Sequence, residues 1–326
     1  MYNPDTTNAS WDVVANEASR ACVRPAVSVV ITLYNYSAYI RSCLESVQAS
    51  KAEDLPGGFD VVVVDDRSTD SSVSVVEDFM RTSPLPVCLV KKRTNTGLSD
   101  ARNIGMLTAR APLVFILDAD NEIRPDCLSA HYQTLAASDY AMAYGIINCF
   151  DSVTRKTVST MSNSEWDERL LVSRPCIDAM AMLRKETVQK LGGYSIEYGK
   201  IFPQGFEDYD LWLRLAQAGY SGKLIPRILS DYRVHPTSMV RTIWTFHRDV
   251  ATYFSRKFHV LVSRHNDLPT YFGISREELA IANGEKAWLK PSPKSVPPTL
   301  VHRLLGKKMC RSISKRLSTV YLWLYR

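Results

Sequence analysis

Residues 27–35, VSVVITLYN, open as a run of β-branched side chains and close on polar ones. Three further runs follow the same plan: 60–64 (DVVVV), 86–90 (PVCLV) and 112–117 (PLVFIL). Near-continuous apolar runs of this length suit parallel strands covered on both faces. Between them lie helix-like segments at about 38–49, 71–82 and 98–109. Ser71 and Ser72 after Asp70, and Ser99 with Asp100, offer cap chemistry to the second and third. Strand alternating with helix predicts right-handed crossovers and an α/β fold: a doubly wound, mostly parallel sheet with helices on both faces. Ligands of such sheets bind beyond the carboxyl ends of the strands.

Those ends are polar. The first run stops at Thr32-Leu33-Tyr34-Asn35, the second at Asp65-Asp66-Arg67-Ser68-Thr69-Asp70, and the fourth at Asp118-Ala119-Asp120-Asn121. Singly, such residues are ordinary turn formers and caps. Jointly they bring like charges to one edge, and a divalent cation is the natural partner. Asp118 and Asp120 face one side if the extended geometry persists between them. Magnesium and manganese suit few carboxylates plus phosphate oxygens and water. No GxGxxG or GxxxxGK[ST] is present, so dinucleotide and P-loop readings lose their main support.

Beyond about residue 150 the alternation weakens. Residues 151–175 read as a hairpin or mobile segment, and a helix is expected over 178–191 with Gly192-Gly193 as its stop. Glu207, Asp208 and Asp210 set three carboxylates at the start of a further helix. Macrodipole complementarity accounts for Asp210; Glu207 and Asp208 precede the helix beside aromatic residues, where one carboxylate can serve as general base. Two short strands are expected near 222–226 and 229–234, then a long helix over 239–264. Tyr232-Arg233-Val234-His235 puts a basic pair near the end of the second strand, and a lone histidine is more often structural than a ligand.

The chain has 326 residues and a formal charge of +6, but the charge is uneven. Ten Lys and Arg and no Asp or Glu fall within 286–326, leaving 30 Lys and Arg against 34 Asp and Glu, a net −4, in residues 1–285. A mildly acidic body with a basic tail argues against a nucleic-acid partner. Seven scattered cysteines without CxxC spacing fit a reducing cytosol rather than a disulfide framework. Residues 1–24 lack a secretory apolar core, and no run of about 18–20 apolar residues suggests a membrane span.

Seven motifs, taken in order, resemble the family-2 glycosyltransferases of the GT-A fold: VSVVITLYN, VVVVDDRSTD, NTGLSDARNIGM (95–106), LDADNEIRPD (117–126), LGGY (191–194), GFEDYDLWLRL (205–215) and YRVHPTSM (232–239). The resemblance covers about 26–240. It implies a nucleotide-sugar-binding half at 26–125 and an acceptor-binding half at 126–240. An N-terminal extension (1–25), a helical C-terminal extension (241–289), a proline-rich linker (290–300) and a basic tail (301–326) surround this domain.

The resemblance also implies roles. Thr32, Tyr34 and Asp66 would contact the nucleotide base, Asp66 accepting from the ring N–H, with a uridine donor favoured. Gly97 and Arg102 match the segment flanking the nucleotide. Asp118 and Asp120 match the DxD pair that binds Mn2+ or Mg2+, Asp120 being the better candidate for direct ligation. Asp208 matches the general base, with Glu207 beside it, and His235 a position that in some members lies near metal or diphosphate. Processive members carry QxxRW and several membrane spans, which this sequence lacks. The implied activity is inverting transfer from a nucleoside-diphosphate sugar to a carbohydrate or lipid-linked acceptor, in surface polysaccharide or glycolipid assembly. A nucleotidyltransferase and a non-catalytic nucleotide- or carbohydrate-binding module are the alternatives.

Read as a helix, the tail sets Leu305, Met309, Ile313, Leu317, Val320 and Leu324 on one side. Lys307, Lys308, Arg311 and Lys315 gather on another. That pattern suits peripheral contact with anionic lipid at the inner face of the plasma membrane, or docking on protein, self-association included.

Overall fold

A short strand, β1 (Trp11–Ala15), and a helical turn, α1 (Glu17–Ala21), precede the first apolar run. The runs then form β2 (Val27–Leu33), β3 (Phe59–Asp65), β4 (Val87–Lys92) and β5 (Leu113–Asp118), joined by α2 (Ile40–Gln48), α3 (Ser72–Thr82) and α4 (Leu98–Thr108). Every residue of β2 and β3 is buried, as expected of strands covered on both faces. The second half comprises β6 (Glu122–Ile123), α5 (Cys127–Ala136), β7 (Met142–Asp151), β8 (Thr157–Met161), α6 (Glu168–Ser173), β9 (Ala181–Arg184), α7 (Lys185–Lys190), α8 (Ile196–Ile201), α9 (Glu207–Gln217) and β10 (Gly222–Val234). After it come α10 (His247–Lys257), α11 (His259–Arg264), the small pair β11 (Thr270–Tyr271) and β12 (Ile274–Ser275), and α12 (Arg276–Ala282). This computed structural model describes residues 10–202, 205–236, 238 and 247–284; the proline-rich linker, the basic tail and the first part of the 239–264 helix lie outside them.

The main sheet runs β1-β4-β3-β2-β5-β9-β7-β10-β6, with β8 on β7. The block β4-β3-β2-β5 is parallel, and so is β7-β10. Antiparallel β9 stands between the two blocks, pairing with both β5 and β7. Successive strand residues face opposite sides, so Val30, Val62 and Val64 pack with Trp212 and Phe254, whereas Val29, Ile31 and Val63 pack with Leu44 and Phe79. Gly105 lets α4 lie close on β2: a Cβ there would come within 2.2 Å of Val30 Cγ1.

Several expectations need correction. The helix over 178–191 is instead β9 followed by the short α7. Ala181-Met182-Leu183 is apolar on both sides, and only a strand can link the ladders of β5 and β7. The two strands near 222–226 and 229–234 are one, β10, whose register shifts near Pro226, a residue without an N–H to donate. The long helix breaks at Phe258, which leaves helical geometry and buries its ring. For residues 151–175 the hairpin alternative holds: the end of β7 turns back and pairs antiparallel with β8, and α6 follows. Ser71 and Ser99 do not cap by side chain; Asp70 Oδ1 accepts from Ser72 N, and α4 starts at Gly97. Within the N-terminal extension, residues 11–15 form an antiparallel edge strand on β4. Among the described residues, no helix is long and apolar enough to cross a membrane.

Candidate active site

The carboxyl edge of the parallel block gathers three groups of side chains. The innermost is organised by Arg102, on the second turn of α4 and 1% exposed. Its Nη2 donates to Asp118 Oδ1 at 2.9 Å, and its Nη1 donates to Glu207 Oε1. Thr32, level with Asp118 in the sheet, also donates to Oδ1, at 3.1 Å. One buried guanidinium therefore ties the end of β5 to the start of α9, 105 residues apart in sequence from Arg102 to Glu207. Tyr194 lies under the guanidinium, its ring centroid 5.3 Å away. Asn103 fixes Tyr194 through two bonds: Nδ2 donates to its carbonyl and Oδ1 accepts from its N–H.

Asp208 faces Glu207, Asp178 and Arg102 from the first turn of α9. Burial, then the charges of Glu207 and Asp178, hold its carboxyl well above the usual aspartate range, with Arg102 opposing them. The helix is aimed by two left-handed residues, Gly205 (φ 111°) and Phe206 (φ 65°). The latter is strained by on the order of 1–2 kcal/mol, and Tyr198 Oη braces the turn by donating to Gly205 O at 2.9 Å. Asp210, grouped with these in the sequence, is elsewhere: fully buried, it pairs with Arg214 Nε at 2.8 Å and Lys257 Nζ at 2.5 Å.

The second group is Asp120 and His235. Extended geometry ends at Asp118, since Asn121 N returns to Asp118 O in a turn, so sheet periodicity does not pair the two aspartates. Even so, Asp120 remains an electrostatic neighbour of Asp118, and burial raises its pKa. Its Oδ2 meets His235 Nε2 at 2.9 Å. His235 is buried and stacks on Tyr39, ring centroids 5.2 Å apart, with Tyr36 edge-on. Arg233 completes the wall, donating from Nε to Asp120 O at 2.8 Å and pairing with Glu122.

The third group surrounds Asp66. Its carboxylate accepts from Thr96 N at 3.1 Å and Gly97 N at 2.9 Å, and pairs with buried Lys92 at 2.6 Å. Gly97 (φ 93°) turns the chain so that both N–H groups reach it. Tyr34, 45% exposed, stands at the open rim.

Two participants escape sequence reasoning. Lys92 reads as a strand-end lysine, yet it bridges Asp66 and Asp100. Asp178 lies inside what reads as a helix. In the fold it faces Asp118, Arg102 and Glu207, and burial pushes its carboxyl up to about 7. Neither carries a local motif; only the tertiary arrangement exposes them.

Among the described residues, no three His, Cys, Asp or Glu side chains converge as a ready-made metal cage. Asp118 and Asp120 nonetheless offer hard oxygens, and both bonds to Asp118 use Oδ1. Such a partial set fits a cation that takes its remaining ligands from water and phosphate.

A GT-A-type sheet, with a DxD turn facing an acidic helix start across its carboxyl edge, defines the class. Residues 28–192, just over half of the chain, match glycosyl transferase family 2, and the chain belongs to that family. Its fold is similar to that of the mannosyltransferase PcManGT of Pyrobaculum calidifontis in complex with GDP-Man and Mn2+, with a TM-score of 0.58 at 20% identity over 96% of this chain and 88% of that one. It is also similar to S. aureus TarS in complex with UDP-GlcNAc, with a TM-score of 0.55 at 17% identity over 81% and 76%. The glycosyltransferase GlyA of Streptococcus pneumoniae serotype 4 is 23% identical over 313 residues, 90% of this chain. The chain spans 43% of GlyA's length.

Proposed function

We propose that the protein is a metal-dependent, inverting glycosyltransferase that moves a sugar from a nucleoside-diphosphate donor to an acceptor hydroxyl. The observation that carries this reading is the Arg102 bridge, which brings the DxD turn and the Glu207-Asp208 helix start to one cleft. Asp66, with Gly97 and Thr32, frames the base and ribose end, and Tyr34 covers its rim. Asp66 has one lone-pair position left for a ring N–H after its three internal bonds, which suits a base that carries one, as uracil, thymine and guanine do; a uridine donor is the reading we favour among these. Asp118 and Asp120 would hold Mn2+ or Mg2+, with His235 orienting Asp120 or joining the ligand set. When bound, that cation neutralises charge on the departing diphosphate.

Asp208 accepts the acceptor's hydroxyl proton as its oxygen attacks the anomeric carbon from the side opposite the diphosphate. One displacement of this kind inverts the anomeric configuration, as in the base step of an inverting glycosidase. Glu207 holds Arg102, and Arg102 holds Asp118, so the two ends of the reaction keep their spacing. A role in surface glycan or glycolipid assembly, in the cytoplasm or at the inner face of the membrane, belongs to the same proposal; similarity over 117 residues, at 26% identity, to a teichoic acid poly(glycerol phosphate) polymerase of Staphylococcus epidermidis supports the assembly role.

The test is transfer and donor hydrolysis with a panel of nucleotide sugars plus manganese. Asp208→Asn is expected to reduce transfer by about 100- to 10,000-fold while nucleotide binding persists. Asp120→Ala is expected to lose the metal dependence. Full activity in Asp208→Asn refutes the assignment.

A further inference from the structure

The geometry points to Asp178 as the residue that reads the hydroxyls of the transferred sugar. This inference rests on the donor chemistry proposed above and adds a specificity residue to it. Asp178 sits in the turn before β9, fixed by three bonds. Its N–H donates to Ser162 Oγ at 2.9 Å, and its Oδ1 accepts from Met180 N at 3.0 Å. One residue back, Ile177 O accepts from the buried indole Nε1 of Trp212 at 3.1 Å.

The last bond sets the location. Trp212 follows Asp208 by four residues on α9, so the two share a helix face, one turn apart. Trp212 holds the turn through Ile177, and Asp178 is an electrostatic neighbour of Asp208. Asp118 and Glu207 face it as well, and Arg102 faces all four carboxylates. Asp178 is thus within electrostatic reach of both the strand end assigned to the diphosphate and the helix start assigned to the general base, and its turn is bonded to α9. The ring in transit must occupy the interval between those two.

A second observation points to a ligand there. Tyr194 is 1% exposed, and its hydroxyl has no hydrogen-bond partner among the described residues, nor does Arg102 Nε beside it. Tyr194 also faces Arg102, Asp208, Glu207 and Asp118. Buried donors without partners are uncommon and signal an absent water or ligand. Two such donors beside four carboxylates make a site for a neutral polyhydroxyl group, which accepts from one set and donates to the other. Asp178 binds Met180 N through Oδ1 alone, so Oδ2 takes the sugar's O–H. A site built around such a bond discriminates strongly against a donor lacking the hydroxyl.

The experiment compares binding of UDP and GDP with binding of a panel of uridine and guanosine diphosphate sugars, by calorimetry in manganese. The wild type should bind one sugar nucleotide more tightly than its free diphosphate. Asp178→Ala is expected to weaken that sugar nucleotide by about tenfold or more and the free diphosphate by less than about twofold. Asp178→Asn, which retains an oxygen for Met180 N, keeps the fold and should lose selectivity between epimeric sugars. Equal weakening of both ligands, or an intact increment from the sugar in both variants, overturns the inference alone. A wild type that binds neither diphosphate nor any sugar nucleotide overturns the donor reading beneath it.

Discussion

Arg102 shows how much one residue can decide. Its guanidinium forks to Asp118 and Glu207 from a position 1% exposed. Removing the charge leaves two carboxylates facing each other with less compensation, and breaking a buried pair costs roughly 3–5 kcal/mol. Arg102→Met should therefore unfold at markedly lower temperature. Arg102→Lys, a point charge without the fork, should fold but lose about 100-fold in turnover through misplacement of one partner. Melting temperature and turnover, measured together, separate the two effects; a fully active lysine variant would show that the fork is dispensable.

Asp178 gives a pH prediction of its own. An unfolded aspartate titrates at 3.8, whereas in the fold burial, then the charge of Asp118, raises Asp178 to about 7. The folded chain therefore holds this proton more tightly, and stability falls as pH rises from 3.8 through about 7. Asparagine cannot ionise. In metal-free buffer, Asp178→Asn should melt above the wild type at pH 8, with the difference shrinking towards pH 4; a pH-independent difference would contradict this origin. Asp208 is raised by burial, then by the charges of Glu207 and Asp178, so transfer should increase with pH along an acid limb above the ordinary carboxylate range.

At the scale of elements, α9, itself beyond the matched family region, is held by elements further along the chain. The family match ends at 192, yet Lys257 on α10 reaches the buried Asp210 of α9, and Phe254 stacks on Tyr198 at 5.3 Å. Lys257→Met would leave Asp210 with Arg214 alone, at a cost of about 1–3 kcal/mol. The expected outcome is a lower melting temperature and reduced turnover with donor affinity retained, and Lys257→Arg should restore both. Unchanged turnover in the methionine variant would show that α10 does not position α9. The element-level misreadings have a common source. Ala181-Met182-Leu183 has no polar face, so periodicity alone does not separate helix from buried strand; the gap between β5 and β7 makes it a strand.

For the whole molecule, a ligand that binds only the folded state stabilises it by mass action. A preferred sugar nucleotide with manganese, at 100 times its dissociation constant, should add about 2.7 kcal/mol. Scanning calorimetry should show the rise with both together and little with manganese alone, because no three His, Cys, Asp or Glu side chains converge among the described residues. The same rise from manganese alone would mean a closed metal site.

The sequence by itself determined the parallel block. Four apolar runs of strand length, rich in β-branched residues and spaced by helix-like segments, favour strands buried on both faces, and strands joined by helices cross over in one preferred hand. It determined too which chemical groups stand at their ends, because a strand end and a helix start are local. The tertiary structure alone decided which of those groups meet. Asp210 left the acidic trio for Lys257, Asp178 joined it from the turn before an unsuspected strand, and Arg102 became the bridge between halves. Each of those outcomes depends on residues far apart along the chain, 105 positions for Arg102 and Glu207 and 47 for Asp210 and Lys257, and no short window contains both partners.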